Sequence, residues 1–183
     1  MNEEIEIKVF LKNQKEVEEK LKNIAKFVKE KKQTDEYFVP KHKDFFKFNP
    51  VTEYLRVRNE NGKNCIEYMF CHFDKEGWLV KTDEYKLKID DTEMASEILK
   101  KLEMIHKVTV TKVRKVFDYK DFEVCIDFIK ELGYFIEVEA KKMLGSLEET
   151  KKKCYDVLSE IGADWEQTKN MGYPLMILDK KKS

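Results

Sequence analysis

The chain has 183 residues, enough for one compact domain with a sizeable core. Its 42% hydrophobic content excludes disorder as the default, and 36 basic residues against 36 acidic ones exclude a general nucleic-acid binder, which needs a basic excess. Charged residues still make up 39% of the chain, well above the usual quarter, so they must line either the surface or a charged cavity.

In chain order, the N-terminus reads as an acidic strand over 3–11 rather than a signal peptide. Asn13 is placed to cap a helix over 14–31, with Val17, Leu21, Ile24 and Val28 on one face. Period-two alternation predicts strands over 33–40, 52–59, 64–72 and 80–89, and Asn61-Gly62 predicts a hairpin turn between the second and third of these. Asp91 or Thr92 opens a second helix whose stripe is Met94, Ile98, Leu102 and Ile105. Strands over 107–118, 122–129 and 134–142 follow. Ser146 and Glu149 then form the capping box of a third helix that stops at Gly162. All three helical stripes are expected to face the core, and Lys180–Ser183 to fray.

Three prolines and six glycines leave little room for a linker, which predicts a single domain over 1–183. No apolar run is long enough to span a bilayer, so a cytoplasmic protein without membrane contact is expected. Cys65, Cys71, Cys125 and Cys154 contain no CxxC pair, and only His42, His72 and His106 could join them, which argues against zinc and for unpaired thiols. The histidines, Trp78 and Trp165 read as surface or packing residues.

The signs of the strand faces are sorted. Glu4, Glu6 and Lys8 share one face of the first strand, opposite Ile5, Ile7 and Val9. Arg56 and Arg58 share a face further on; Glu84, Lys86 and Lys88 another; Lys112 and Arg114 another; Glu137 and Glu139 the last. A wet sheet face explains any one strand, but solvated faces have no reason to segregate their charges. Closing the strands would put carboxylates on one wall of a lumen and guanidinium and ammonium groups on another. Such a lumen suits phosphate oxygens bridged by a hard divalent cation.

Those same residues carry a resemblance. Glu4-Ile5-Glu6-Ile7-Lys8 is an ExExK motif similar to that of the CYTH, or triphosphate tunnel metalloenzyme, superfamily. Gln33-Thr34-Asp35-Glu36-Tyr37-Phe38, Asp44-Phe45, Glu53-Tyr54-Leu55-Arg56-Val57-Arg58, Lys112-Val113-Arg114 and the Asp127…Glu137-Val138-Glu139 segment resemble its further motifs in order. The length and the segment at Gln33 most resemble the class IV adenylyl cyclase branch. The resemblance implies an α+β fold, an eight-stranded antiparallel closed β-barrel with helices packed outside. It also implies Mg²⁺ or Mn²⁺ held by Glu4, Glu6, Asp127, Glu137 and Glu139. The implied substrate is a nucleoside or other triphosphate, met by Lys8, Arg56, Arg58, Lys112 and Arg114, with Asp35 and Tyr37 beside them; Glu6, Lys8, Lys112 and Glu137 form the catalytic set. The expected reaction is ATP to cyclic AMP and pyrophosphate, with triphosphate hydrolysis as the alternative and a non-catalytic sensor of phosphorylated ligands as a third reading. Two departures stand out: Met69 occupies a position that is usually lysine, and Lys86 one that is usually glutamate, so Lys86 or Lys88 is expected to restore the lost cation. The reading leaves room for a homodimer.

Overall fold

A computed structural model describes residues 5–73, 75, 79–168 and 172–181. The strands are β1 (Ile5–Leu11), β2 (Lys26–Pro40), β3 (Glu53–Glu60), β4 (Lys63–Phe73), β5 (Leu79–Ile89), β6 (Met104–Tyr119), β7 (Phe122–Ile129), β8 (Gly133–Ala140) and β9 (Trp165–Gln167). The helices are α1 (Gln14–Ile24), α2 (Thr92–Lys101), α3 (Leu147–Glu160) and α4 (Tyr173–Lys180). The fold is α+β, a large antiparallel sheet with four helices.

The hydrogen-bonded order is β5-β4-β3-β2-β6-β7-β8-β1-β9. The expected eight-stranded closed barrel is corrected accordingly: among the described residues there are nine strands, and no hydrogen-bonded ladder joins β5 to β9. The reason lies at β1, where Val9, Phe10 and Leu11 pair with Gln167, Glu166 and Trp165 of β9 along the edge that a closing strand would need.

The chain divides into two units. The first comprises Met1–Lys31 and Lys112–Met171. Its core gathers Ile7, Val9 and Leu11 of β1, Val17 and Leu21 of α1, Val124, Ile136 and Val138 of the sheet, and Cys154, Val157 and Leu158 of α3. Alternation in β1 buries Ile5, Ile7, Val9 and Leu11 on one side and leaves Glu6 and Lys8 on the other. The Ser146–Glu149 capping box forms reciprocally and starts α3 where expected. Asn13 precedes α1, but its side chain does not cap the helix; it ties to Gly162 and Asp164 instead. Trp165 packs at the edge of this core beside Tyr155.

Helix α1 stops at Ile24, seven residues short of expectation, because from Lys26 the backbone is taken into the long strand β2. Ile24 and Val28, read as core, are exposed. Sheet pairing across many residues outweighs the small helical preference of this stretch.

The second unit comprises Lys32–Thr111 and Gly172–Ser183. Asn61 and Gly62 adopt φ of 49° and 79° and join β3 to β4 in the two-residue hairpin that Asn-Gly favours. Phe38, Val57 and Ala95 form its buried centre, with Leu55, Ile66, Ile89, Leu99 and Met104 around them. Asp91 caps α2 by accepting a hydrogen bond from the Met94 amide at 2.9 Å. The stripe Met94, Ile98, Leu102 and Ile105 does not face the core: all four are exposed, and α2 buries Ala95 and Ser96 instead. The small Ala95 lets the helix approach the sheet, and that choice turns the larger side chains outward. Helix α4, not anticipated from the sequence, includes Lys180, so the tail expected to fray is helical that far; Pro174 sits in its first turn, where proline suits a helix start. Trp78 lies outside the described residues, and the four cysteines are free thiols.

Candidate functional site

Each unit presents one charged sheet face. In the first unit the face is assembled from β6, β7, β8 and β1, and the antiparallel register decides which side chains meet. Arg114 lies directly across from Asp127 and donates Nε to Oδ1 and Nη2 to Oδ2, both at 2.6 Å. Its Nη2 also bonds Glu137. Lys8 lies directly across from Glu137, Nζ to Oε1 at 2.9 Å, and Lys112 Nζ stands 3.5 Å from Asp127 Oδ2. Asp127 is fully buried, so its charge is tolerated only because these cations neutralise it.

Electrostatics follow from the packing. Burial disfavours charge on Glu137, but Lys8, Arg114 and Lys112 outweigh it and hold the carboxyl far below its ordinary range. Burial likewise opposes charge on Lys8, and Glu137 and Glu6 overcome it, so the ammonium is strengthened. Lys112 goes the other way: burial and then Arg114 push its pKa down, despite Asp127.

The carboxylates continue in register. Glu6 is directly opposite Glu139, and Glu139 is directly opposite Glu123. Sequence reading missed Glu123, since nothing in a β7 alternation marks it until pairing places it beside Glu139. Oxygen donors on three neighbouring strands fit the chemistry of a hard divalent cation. Among the described residues no three acidic, thiol or imidazole groups are already drawn together as a metal centre, so the fit lies in donor type and register. Glu4, also expected as a ligand, lies outside the described residues.

In the second unit the charged face is built from β2, β3, β4 and β5. Arg58 is directly across from Asp35 and grips it with the same two-pronged geometry, at 2.6 and 2.7 Å. Arg56 donates Nε to Glu67 at 2.6 Å and Nη1 to the Tyr37 hydroxyl at 3.2 Å. Burial raises the Tyr37 pKa, so the phenol stays neutral beside the guanidinium. Lys86 is directly across from Glu67, with Nζ 3.6 Å from Oε1. Lys88 is opposite Cys65, and Met69 sits between Tyr54 and Glu84 on the same face. Glu67, buried and bonded to Arg56, is the organising carboxylate here, and sequence reading passed over it because only the β3–β4 register reveals its partner.

Two sheet faces organise arginine and lysine around buried carboxylates, side chains whose chemistry suits phosphate oxygens and a hard cation. The chain belongs to the CYTH domain family, whose model matches residues 2–169. Members of that family bind triphosphates and use divalent metals. A Methanocaldococcus jannaschii protein provisionally named an adenylate cyclase is 35% identical over 160 residues, covering 86% of each chain. Among solved structures, the PH1012 protein of Pyrococcus horikoshii is 26% identical with a TM-score of 0.71, over 96% of this chain and 99% of that one. A Hippeastrum protein, described as a provisional adenylyl cyclase with a dominant triphosphatase activity, shares the fold at 18% identity, with a TM-score of 0.70 over 98% of this chain and 96% of that one.

Among the described residues no helix is long and apolar enough to cross a membrane. Two of the histidines pair with residues outside both charged clusters, His72 with Asp83 at 2.7 Å and His106 with Thr109 at 2.9 Å.

Proposed function

We propose that this protein is a class IV-type adenylyl cyclase, converting ATP to cyclic AMP and pyrophosphate with Mg²⁺ or Mn²⁺. The observation that carries the reading is the 35% identity, over most of both chains, to a relative bearing that provisional name. The two charged faces supply the means. Arg56, Arg58, Lys86 and Lys88 outnumber Asp35, Glu67 and Glu84 on the second unit's face, which suits phosphate oxygens; carboxylates outnumber cations on the first unit's face, which suits the metal.

In the reaction the ribose 3′-oxygen attacks the α-phosphorus, the bond from that phosphorus to the bridging oxygen breaks, and pyrophosphate departs with the electron pair. Lys8 and Arg114 are held in fixed directions by Glu137 and Asp127, so they meet developing phosphate charge without reorganising. Lys112, 3.5 Å from Asp127, adds a further positive charge to this face, and the hydroxyl proton leaves to water. A divalent cation on Glu6, Glu139 and Glu137 would neutralise phosphate charge and acidify that hydroxyl. Arg56 and Arg58 hold the triphosphate with guanidinium edges left over from their carboxylates.

Triphosphate hydrolysis is the second reading, because the same fold carries a dominant triphosphatase activity in the Hippeastrum protein. Incubation with Mg²⁺ or Mn²⁺ and ATP, thiamine triphosphate or tripolyphosphate, with products identified by chromatography and mass, separates the cases. Cyclic AMP with pyrophosphate is the expected outcome. Orthophosphate without cyclic AMP would replace the proposal with hydrolysis, and tight binding without turnover would make the protein a sensor.

A further inference from the structure

Among the described residues two buried side-chain atoms have no hydrogen-bond partner, Asn64 Oδ1 and Gln33 Oε1. Asn64 lies on the face of β4 that carries Ile66, opposite in direction to Glu67 and the charged cluster. Gln33 differs. It shares a face of β2 with Asp35 and Tyr37, within the second unit, and is only 5% exposed. A buried acceptor left without a donor is destabilising, and one placed among ligand-type side chains points to a donor that arrives with the ligand.

The amide cannot relieve this by turning over. Gln33 lies directly across from Glu60 and donates Nε2 to Glu60 Oε2 at 2.5 Å. Flipping it would set two acceptor oxygens against each other, so the carboxylate fixes which end of the amide is which. The outcome is an acceptor held on the second unit's charged face, one step beyond the arginines. Arg56 is across from Tyr37 and Arg58 from Asp35, and Gln33 follows about 7 Å further along β2 than Asp35. The arginines suit phosphate oxygens, whereas an acceptor beside a carboxylate repels them and calls for an N–H. On ATP that group is the 6-amino group of adenine. The ribose hydroxyls can turn either to donate or to accept, so a fixed acceptor selects nothing there.

We propose that Gln33 selects the base of the nucleotide: its Oε1 accepts a hydrogen bond from the adenine 6-amino group, and Glu60 aims it. Guanine and hypoxanthine carry oxygen at that position, which would set two acceptors face to face and leave Gln33 unpaired. The proposal rests on the reading of this protein as one that takes ATP, and adds how ATP is told from other purine nucleotides.

Calorimetric titration of the full chain with Mg²⁺ and nucleotide analogues tests it. In these analogues methylene replaces both bridging oxygens of the triphosphate, so neither a cyclase nor a hydrolase cleaves them. The ATP analogue should bind about 10- to 100-fold tighter than the ITP analogue. Gln33→Met keeps the length of the side chain and removes the acceptor. It should weaken the ATP analogue about tenfold, leave the ITP analogue unchanged and bring the ratio of the two close to one. If Gln33→Met does not fold, the wild type still decides: the analogue with unsubstituted purine, which has hydrogen at position 6, should bind about tenfold more weakly than the ATP analogue. Equal affinity for the ATP and ITP analogues overturns the proposal. So does a preference for ATP that Gln33→Met retains, purine bound as tightly as adenine, or no binding of any of the three. The reading beneath it fails separately. A Gln33-dependent preference for the ATP analogue, with no cyclic AMP made from ATP itself, removes the cyclase reaction and keeps the role of Gln33. Cyclic AMP formed by a protein that binds both analogues equally removes that role and keeps the reaction.

Discussion

Arg114 and Asp127 face each other across the β6–β7 ladder and are joined by two parallel hydrogen bonds of 2.6 Å. Arg58 and Asp35 repeat the arrangement across β2 and β3. In both pairs the carboxylate is buried and aims the guanidinium, so in this structure Asp127 acts first on Arg114; serving as a metal ligand as well would mean sharing oxygens that two cations already hold.

Removing the Asp127 carboxylate should therefore cost stability as well as activity. Asp127→Asn leaves Arg114 and Lys112 short of a counter-charge, a change of about 3–5 kcal/mol for a buried pair. Urea unfolding measures it. A loss below about 1 kcal/mol would show that Asp127 does not anchor these cations.

Glu6 and Glu137 should behave differently from each other. Glu137 is bonded to Lys8 and Arg114, so Glu137→Gln should lower both turnover and unfolding free energy. Glu6 lies opposite Glu139, and Glu6→Gln relieves like-charge repulsion. Turnover at saturating metal should fall by at least about a hundredfold with stability unchanged or slightly raised, and the affinity for Mn²⁺ should fall, read by calorimetry. Normal metal affinity in Glu6→Gln would remove it from the ligand set.

Acid stability should depend on a residue outside both clusters. Glu18 of α1 is buried, which disfavours its charge, but Lys115, Lys22 and Gln14 hydrogen-bond it and bring its pKa down to about 2 from an ordinary 4.5. A depressed carboxyl stabilises the fold above its unfolded pKa and loses that contribution as pH falls toward its folded one. Between about pH 4.5 and pH 2 the wild type should lose about 2–3 kcal/mol through this group. Glu18→Gln should be less stable at pH 7 and show a flatter acid limb when unfolding is followed by circular dichroism. An unchanged acid limb would mean that Glu18 does not govern it.

The lysine missing at Met69 should be supplied by Lys86. Lys86 is directly opposite Glu67, the carboxylate that also holds Arg56, whereas Lys88 is opposite Cys65. Lys86→Ala should weaken tripolyphosphate binding by about 10- to 100-fold, the worth of one charge-assisted hydrogen bond. Met69→Lys added to Lys86→Ala should restore part of it, and Lys88→Ala should matter less. Calorimetric affinities that do not respond to any of these would mean that this part of β4 and β5 does not touch phosphate.

The sequence alone determined the features that depend on neighbours in the chain. Alternation in β1 separates Ile5, Ile7 and Val9 from Glu6 and Lys8, Asn61-Gly62 specifies a turn with positive φ, and Ser146 with Glu149 starts α3; each is settled within a few residues. It also placed Arg56, Arg58, Lys112, Arg114 and Glu137 on charged strand faces, because side-chain direction in a strand follows parity. Which cation meets which carboxylate was beyond it. The pairs Arg114–Asp127, Lys8–Glu137 and Arg56–Glu67 exist only through inter-strand register, which joins residues 11 to 129 positions apart. Tertiary packing also decided where α1 gives way to β2 and which face of α2 is covered. At α2 the periodicity named Met94, Ile98 and Leu102, but the sheet needed a close approach, and Ala95 permits that where a larger side chain would not.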